Sequence, residues 1–277
     1  MPPIFSATAS RNAETATLLA GRLIVLARPV GQAASLQAAI AQAGGRTLLF
    51  PGLQIVPTAP DEASQAALDA LPATDWIIFV SGNAVRAGLP LLPSPWPGHL
   101  RAAAVGASTA QTLLDAGLAS VLRPADGHSE DSEGLLARPE LQNLQGRRVL
   151  IVRGMGGRET LANGLRAAGA SVAYAELYRR VPVTQDIRPF TTALDAGQVS
   201  AICAMSAETI HNLFEQLDSQ WHTALCAACW LVPHPRVAAA ARDRGIRTLL
   251  ESAGSSDAAV MHTLITSFGQ TEHEHPI

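Results

Sequence analysis

Residues 147–180, RRVLIVRGMGGRETLANGLRAAGASVAYAELYRR, decide the fold class. Residues 149–152 are aliphatic and β-branched and read as a buried strand running into a glycine-rich turn at Gly154, Gly156 and Gly157. A helix follows, with Leu161 and Leu165 one turn apart, and a second strand ends in Tyr178, Arg179 and Arg180. Glycines at the carboxyl end of a strand let backbone N–H groups face a ligand, and the helix N-terminus behind them favours anions. Arg153 and Arg158 stand on either side of the turn. The pattern points to a site for a molecule carrying carboxylates or phosphates. No nucleophile, base or metal cluster elsewhere in the chain competes with it.

Working outward, the same strand-then-helix unit recurs. Residues 23–27 form an aliphatic run ended by Arg28 and Pro29, followed by a helix carrying Leu36 and Ile40 that stops at Gly44 and Gly45. Further strands are expected at 47–50, 76–80, 103–105, 201–205 and 230–232. Continuous apolar strands alternating with amphipathic helices predict an α/β protein with parallel sheets covered on both faces. The units also repeat. Arg28 to Gly44 matches Arg153 to Gly169, and the strand and helix around Ser81 match those around Ser206, each pair 125 residues apart. The chain therefore reads as units A, B, C and then A, B, C again, a duplicated α/β half that by itself suggests a cut near residue 130.

A length of 277 residues suits two ordinary domains or one large one. With 48% hydrophobic and 16% charged residues, the composition is that of a globular chain with a substantial core. The net charge of −3 argues against a nucleic-acid or membrane-surface partner, so any anion site is a local cluster. All 20 basic residues are arginine. Without lysine there is no Schiff-base chemistry, no lysine-bound pyridoxal phosphate and no Walker lysine. Three cysteines make no disulfide framework in a chain this long. Residues 1–21 lack the basic start and apolar core of a secretory signal, and no apolar run is long enough to span a membrane. A cytoplasmic monomer is expected, with residues 1–21 and 269–277 as flexible tails.

Ligands of open parallel sheets bind beyond the carboxyl ends of the strands. That rule selects Arg28; Ser81, Gly82, Asn83 and Ala84; Gly106, Ser108 and Thr109; Arg153, Gly154, Gly157 and Arg158; Ser206, Ala207, Glu208 and Thr209; and His234 with Arg236. Ser81, Ser108 and Ser206 each also read as plain helix caps. Tyr178 reads either as a proton donor helped by neighbouring arginines or as an interface tyrosine whose hydroxyl reaches water. The glycine turn is not a dinucleotide fingerprint, because the third glycine would fall at Glu159. His222, Cys226, Cys229 and His234 have spacings that resemble a zinc site, but both cysteines lie in the apolar run ALCAACWLV and are expected in the core, with no metal. The stretch Glu130, Asp131, Ser132 and Glu133 reads as a helix start.

The ordered motifs resemble uroporphyrinogen-III synthase. They are VLARP near the start, VSGNAV at Ser81, AAVGASTAQTL at Gly106, SEGLL at Ser132, VLIVRGMGGRETLANGLRAAGASV around Arg153, ELYRR at Tyr178 and SSDAAV near the end, spanning residues 22 to about 267. Two departures stand out: Val80 and Met205 precede serines where the family usually has threonine, and His234-Pro235-Arg236 replaces Ser-x-Arg. The resemblance implies two flavodoxin-like domains joined by a two-stranded ladder, with the active site in the cleft between them. Domain 1 would combine 22–53 with 184–268, domain 2 would be 58–178, and segments 54–57 and 178–183 would form the ladder. It also implies cofactor-free closure of hydroxymethylbilane, a linear tetrapyrrole with eight carboxylates, with inversion of the last ring. Tyr178 would be the donor for the departing hydroxyl, and the turns named above would hold carboxylates. The alternative is a two-lobed binding protein for an anionic metabolite, without turnover.

Overall fold

A computed structural model of the chain describes residues 18–269, and its two sheets are built around central strands, such as LIVL at 23–26 and WIIF at 76–79, that are apolar on both faces. The strands are β1 Leu23–Leu26, β2 Arg46–Leu49, β3 Gln54–Pro57, β4 Trp76–Phe79, β5 Arg101–Ala104, β6 Arg148–Gly154, β7 Ser171–Val181, β8 Val199–Cys203, β9 Cys229–Val232 and β10 Thr248–Glu251. One sheet has the order β10-β9-β8-β1-β2 and the other β3-β7-β6-β4-β5. The chain divides into two compact units, Met1–Gln54 with Pro182–Ile277, and Ile55–Val181.

In the first unit every strand pair is parallel. Side chains of β1 alternate between faces. Ile24 and Leu26 pack with Leu36, Ile40, Val260 and Leu264, while Val25 and Ala27 pack with Ile210, Phe214 and Trp230. Burial of each such aliphatic side chain contributes about 1.5–3 kcal/mol. The central strand can therefore tolerate no polar residue on either side. The fold begins earlier than the sequence reading places it: Leu19 is fully buried and its N–H donates to the Ala43 carbonyl at 2.8 Å. The apolar pair Leu18-Leu19 supplies that anchor, so residues 18–21 are not a tail. The remainder of the two expected tails, 1–17 and 270–277, lies outside the described residues.

The second unit repeats the logic. Ile77, Phe79, Leu150 and Val152 face Val85 and Leu113, whereas Trp76, Ile78, Val149 and Ile151 face Leu135, Leu161 and Leu165. Strands β4, β5, β6 and β7 are parallel, and β3 hydrogen-bonds to β7 at the edge. β7 runs unbroken for 11 residues. Of the segments 54–57 and 178–183 expected to form a ladder, the first is β3, and residues 178–181 of the second are the carboxyl end of β7, the strand to which β3 hydrogen-bonds.

The repeat has a structural counterpart. The neighbours β9-β8-β1-β2 in one sheet match β5-β4-β6-β7 in the other. Each sheet therefore takes its A unit from one half of the sequence and its B and C units from the other half. Among the described residues, no helix is long and apolar enough to cross a membrane.

Candidate active site

Because β4, β5, β6 and β7 are parallel, the turns at their carboxyl ends share one edge of the second sheet. Tyr178 of β7 stands opposite Gly154 of β6, and its ring lies on the bare Cα of that glycine: a Cβ there would come within 2.5 Å of the ring. Tyr178 is only 1% exposed, and its hydroxyl lies 3.0 Å from Ser81 Oγ. The reading of a hydroxyl that reaches water is corrected here, because packing against Gly154 turns the ring inward. Ser81 Oγ also accepts the Ala84 N–H at 3.2 Å, capping the helix Gly82–Gly88. With Tyr178 donating to Ser81, the serine proton is left free at the half-buried end of the pair. Two hydroxyls in series can pass a proton outward. Asn83, by contrast, accepts from Arg86 at 2.7 Å within the same helix.

The helix Ala107–Asp115 starts at Gly106, with no side-chain cap. Ser108 is therefore not a cap; it is exposed on the first turn, and its carbonyl accepts from Thr112 Oγ1 at 2.9 Å. The donors of this N-terminus already meet an anion: Glu130 Oε2 accepts the Ala107 N–H at 3.3 Å. Thr109 is buried behind it. Asp131, next to Glu130, caps the helix Ser132–Leu136 through the Gly134 N–H, as expected of the acidic stretch.

Arg153, expected to face a ligand, is engaged within its own unit. Its Nε donates to Glu176 at 2.9 Å and its Nη1 to Glu159 at 2.8 Å. The guanidinium lies 3.7 Å above the centre of the Tyr174 ring, whose hydroxyl donates to Glu159 at 2.5 Å. Gly157 leaves room for this arrangement and accepts from Arg153 through its carbonyl at 3.4 Å. The Tyr174 hydroxyl and then Arg153 hold the Glu159 carboxyl below its ordinary value. Burial works against the charge on Arg153, but Glu159, Tyr174 and Glu176 outweigh it and raise the value. Burial, followed by the bond to Glu159, pushes the Tyr174 phenol up. Arg158, on the far side of Gly156 and Gly157, is exposed and has no ion pair among the described residues.

In the first unit the turns after β1, β8, β9 and β10 likewise share a sheet edge. Arg28 pairs with Asp257 and donates to the Ser255 carbonyl at 3.0 Å and to Met205 Sδ at 3.7 Å. Its side chain is only 9% exposed. This arginine too faces inward, toward the start of the helix Asp257–Phe268. Ser206 caps the helix Ala207–Gln216, accepting the Thr209 N–H at 3.1 Å and lying 2.9 Å from Thr209 Oγ1. Ala207 and Glu208 are exposed, while Thr209 is buried against Gly52, where a Cβ would come within 2.8 Å of the Thr209 carbonyl. His234 acts as a cap: its Nδ1 accepts the Arg236 N–H at 3.1 Å at the start of the helix Pro235–Asp243. The Arg236 side chain is exposed.

The residues that reading by local motif missed are acids and their partners. Asp257 and Ser255 lie within the quoted segment near the end of the chain, and Glu159 directly follows Arg158, but nothing local marks them as partners of Arg28 and Arg153. Glu130 was visible only as a helix start. Burial pushes the Cys203 thiol up to about 12, which keeps it neutral. Cys226 donates to the Arg244 carbonyl at 3.3 Å, and His222 Nε2 lies 3.0 and 3.1 Å from the carbonyls of Phe214 and Leu217.

A family model described as "Uroporphyrinogen-III synthase HemD" matches residues 34–261. The Escherichia coli K12 uroporphyrinogen-III synthase is 32% identical over 219 residues, covering 77% of this chain and 85% of that protein. The Proteus mirabilis uroporphyrinogen-III synthase is 31% identical over 201 residues, covering 72% of this chain and 98% of its own. In fold, the chain is similar to a crystal structure of mutant uroporphyrinogen III synthase from the extremely thermophilic bacterium Thermus thermophilus, with a TM-score of 0.57 at 21% identity over 87% of this chain and 96% of that one. On the extent of these matches, the chain belongs to the uroporphyrinogen-III synthase family.

Proposed function

We propose that this protein closes hydroxymethylbilane to uroporphyrinogen III, inverting the last pyrrole ring with loss of water. The observation that carries the reading is the match to the family over residues 34–261. The chemistry suits a site without a strong nucleophile. Loss of water from the hydroxymethyl group, the hydroxyl leaving with a donated proton and the pyrrole N–H giving one up, yields a reactive azafulvene, and spontaneous closure then gives the uninverted isomer. The protein must hold the chain so that the substituted carbon of the terminal ring attacks and forms a spiro intermediate, which opens and recloses inverted. Positioning and one proton donor are the required contributions.

The Tyr178–Ser81 hydroxyl pair is the donor in this reading. Its support is the 3.0 Å contact at the carboxyl ends of β4 and β7 and the half-buried position of Ser81. The N–H groups of Ser81, Gly82 and Asn83, and those of Gly106, Ser108 and Thr109, bind substrate carboxylates in the second unit, while the Ala84 N–H stays with Ser81 Oγ and fixes that turn. Ser206, Ala207 and Glu208 offer backbone donors in the first, and the Thr209 N–H, held by Ser206 Oγ, fixes their turn. Arg158 and Arg236 are the exposed guanidiniums that meet carboxylates directly. Arg28 and Arg153 act from behind, by holding their turns, as do Gly154 and Gly157.

The test is to supply freshly made hydroxymethylbilane and to separate the oxidised porphyrins by chromatography. Type III product is expected. Type I alone, together with calorimetric binding of the tetrapyrrole, would instead favour a binding protein without turnover.

A further inference from the structure

We infer that Val30 and Met155 are the apolar contacts on which pyrrole rings of the substrate rest, one in each copy of the repeated arginine turn. The inference builds on the cyclase reading above. The exposed large hydrophobic side chains among the described residues are Val30, Leu91, Leu114 and Met155. Two of the four occupy the same place in the duplicated sequence, two residues after Arg28 and two residues after Arg153. Each is followed by a glycine, Gly31 or Gly156, beside which a Cβ would meet nothing within 4 Å. Approach to both side chains is therefore open.

In both copies the arginine faces inward, to Asp257 in one and to Glu159 and Glu176 in the other. What each turn presents to its surroundings is thus the apolar residue, with Val30 68% and Met155 54% exposed. Each turn follows a central strand of a parallel sheet: β1 lies between β8 and β2, and β6 lies between β4 and β7. Ligands of such sheets bind at this edge. A linear tetrapyrrole has flat ring faces between its carboxylate arms. The arms are served by N–H groups and guanidiniums, but the faces need apolar surface, and a thioether suits an aromatic ring.

The experiment measures KM and kcat with hydroxymethylbilane, and the thermal midpoint, for V30S, M155S and M155L. Each serine variant is expected to raise KM about 5- to 10-fold, with kcat and the thermal midpoint unchanged because both side chains are exposed in the free protein. M155L should behave like the unaltered chain. The inference is overturned if either serine variant leaves KM unaltered, or if leucine impairs as much as serine. If the unaltered chain makes no type III product, the cyclase reading fails first and this inference falls with it.

Discussion

The turn after β1 and the turn after β6 carry the same arginine at equivalent places, yet they use it differently. Arg28 reaches an acid 229 residues away, at the first turn of the helix Asp257–Phe268, and so ties the first strand of the fold to its last helix. Arg153 reaches acids only 6 and 23 residues away and lies over Tyr174, so it organises its own turn. One motif thus serves long-range closure in one unit and local order in the other. An arginine beside a glycine turn is no guide to ligand contact until its acids are known.

The contrast is broken most strongly at Asp257. In D257A the buried Arg28 keeps its charge and loses its partner, at a cost of about 3 kcal/mol. The thermal midpoint should fall by roughly 6–12 °C; a fall of less than about 2 °C would mean that the pair does not tie the helix to the sheet. Next in size is G154A. Its new methyl group collides with the Tyr178 ring, costing about 2 kcal/mol by overpacking, and should shift the hydroxyl away from Ser81. Thermal melting and turnover should both drop, and retention of both would contradict the close packing.

On the Arg153 side the test is one of pH. The carboxyl of Glu159 is held below its ordinary value of 4.5 in the folded protein, by Tyr174 and then by Arg153. Its contribution is therefore fully present above pH 4.5 and is lost as the pH falls through the lower folded value. The difference in thermal midpoint between the unaltered chain and E159Q should be constant at neutral pH and close on acidification. A difference that widens in acid would reverse the assignment. The smallest effect is expected at a third turn: E130A removes the anion from the start of the helix Ala107–Asp115, costing about 0.5 kcal/mol. Calorimetry on the variant would detect this, and a loss as large as that of D257A would erase the distinction between long-range and local acids.

Much of the fold was legible because its signals are local. Aliphatic runs at β1, β4, β6, β8 and β9 have no polar face, which only a sheet covered on both sides explains. Glycines at 44 and 169 end the helices that follow β1 and β6, and both adopt positive φ, 80° and 95°. The spacing of 125 residues showed duplication, but it did not say which strands pair. The exchange of A units between sheets depends on contacts distant in sequence, such as β1 with β8.

The site was legible only as turns. Ser81 and Ser206 cap their helices, while Ser108 fails to, since Gly106 already holds the capping position. The inward direction of Arg28 depends on Asp257, and the burial of Tyr178 depends on Gly154 lying beside it across two strands. Neither relation has a trace in local sequence. His234 is a different case: where the motif departs from serine, its ring nitrogen accepts a backbone N–H and caps the helix, as the oxygens of Ser81 and Ser206 do.

The most direct measurement is side-by-side chromatography of porphyrins formed from one batch of hydroxymethylbilane by the unaltered chain, by Y178F and by buffer alone. The account predicts mainly type III from the unaltered chain. Y178F should remain folded but make it about 100-fold more slowly, leaving mostly type I, as in buffer. Type I alone from the unaltered chain, or undiminished type III from Y178F, would contradict it.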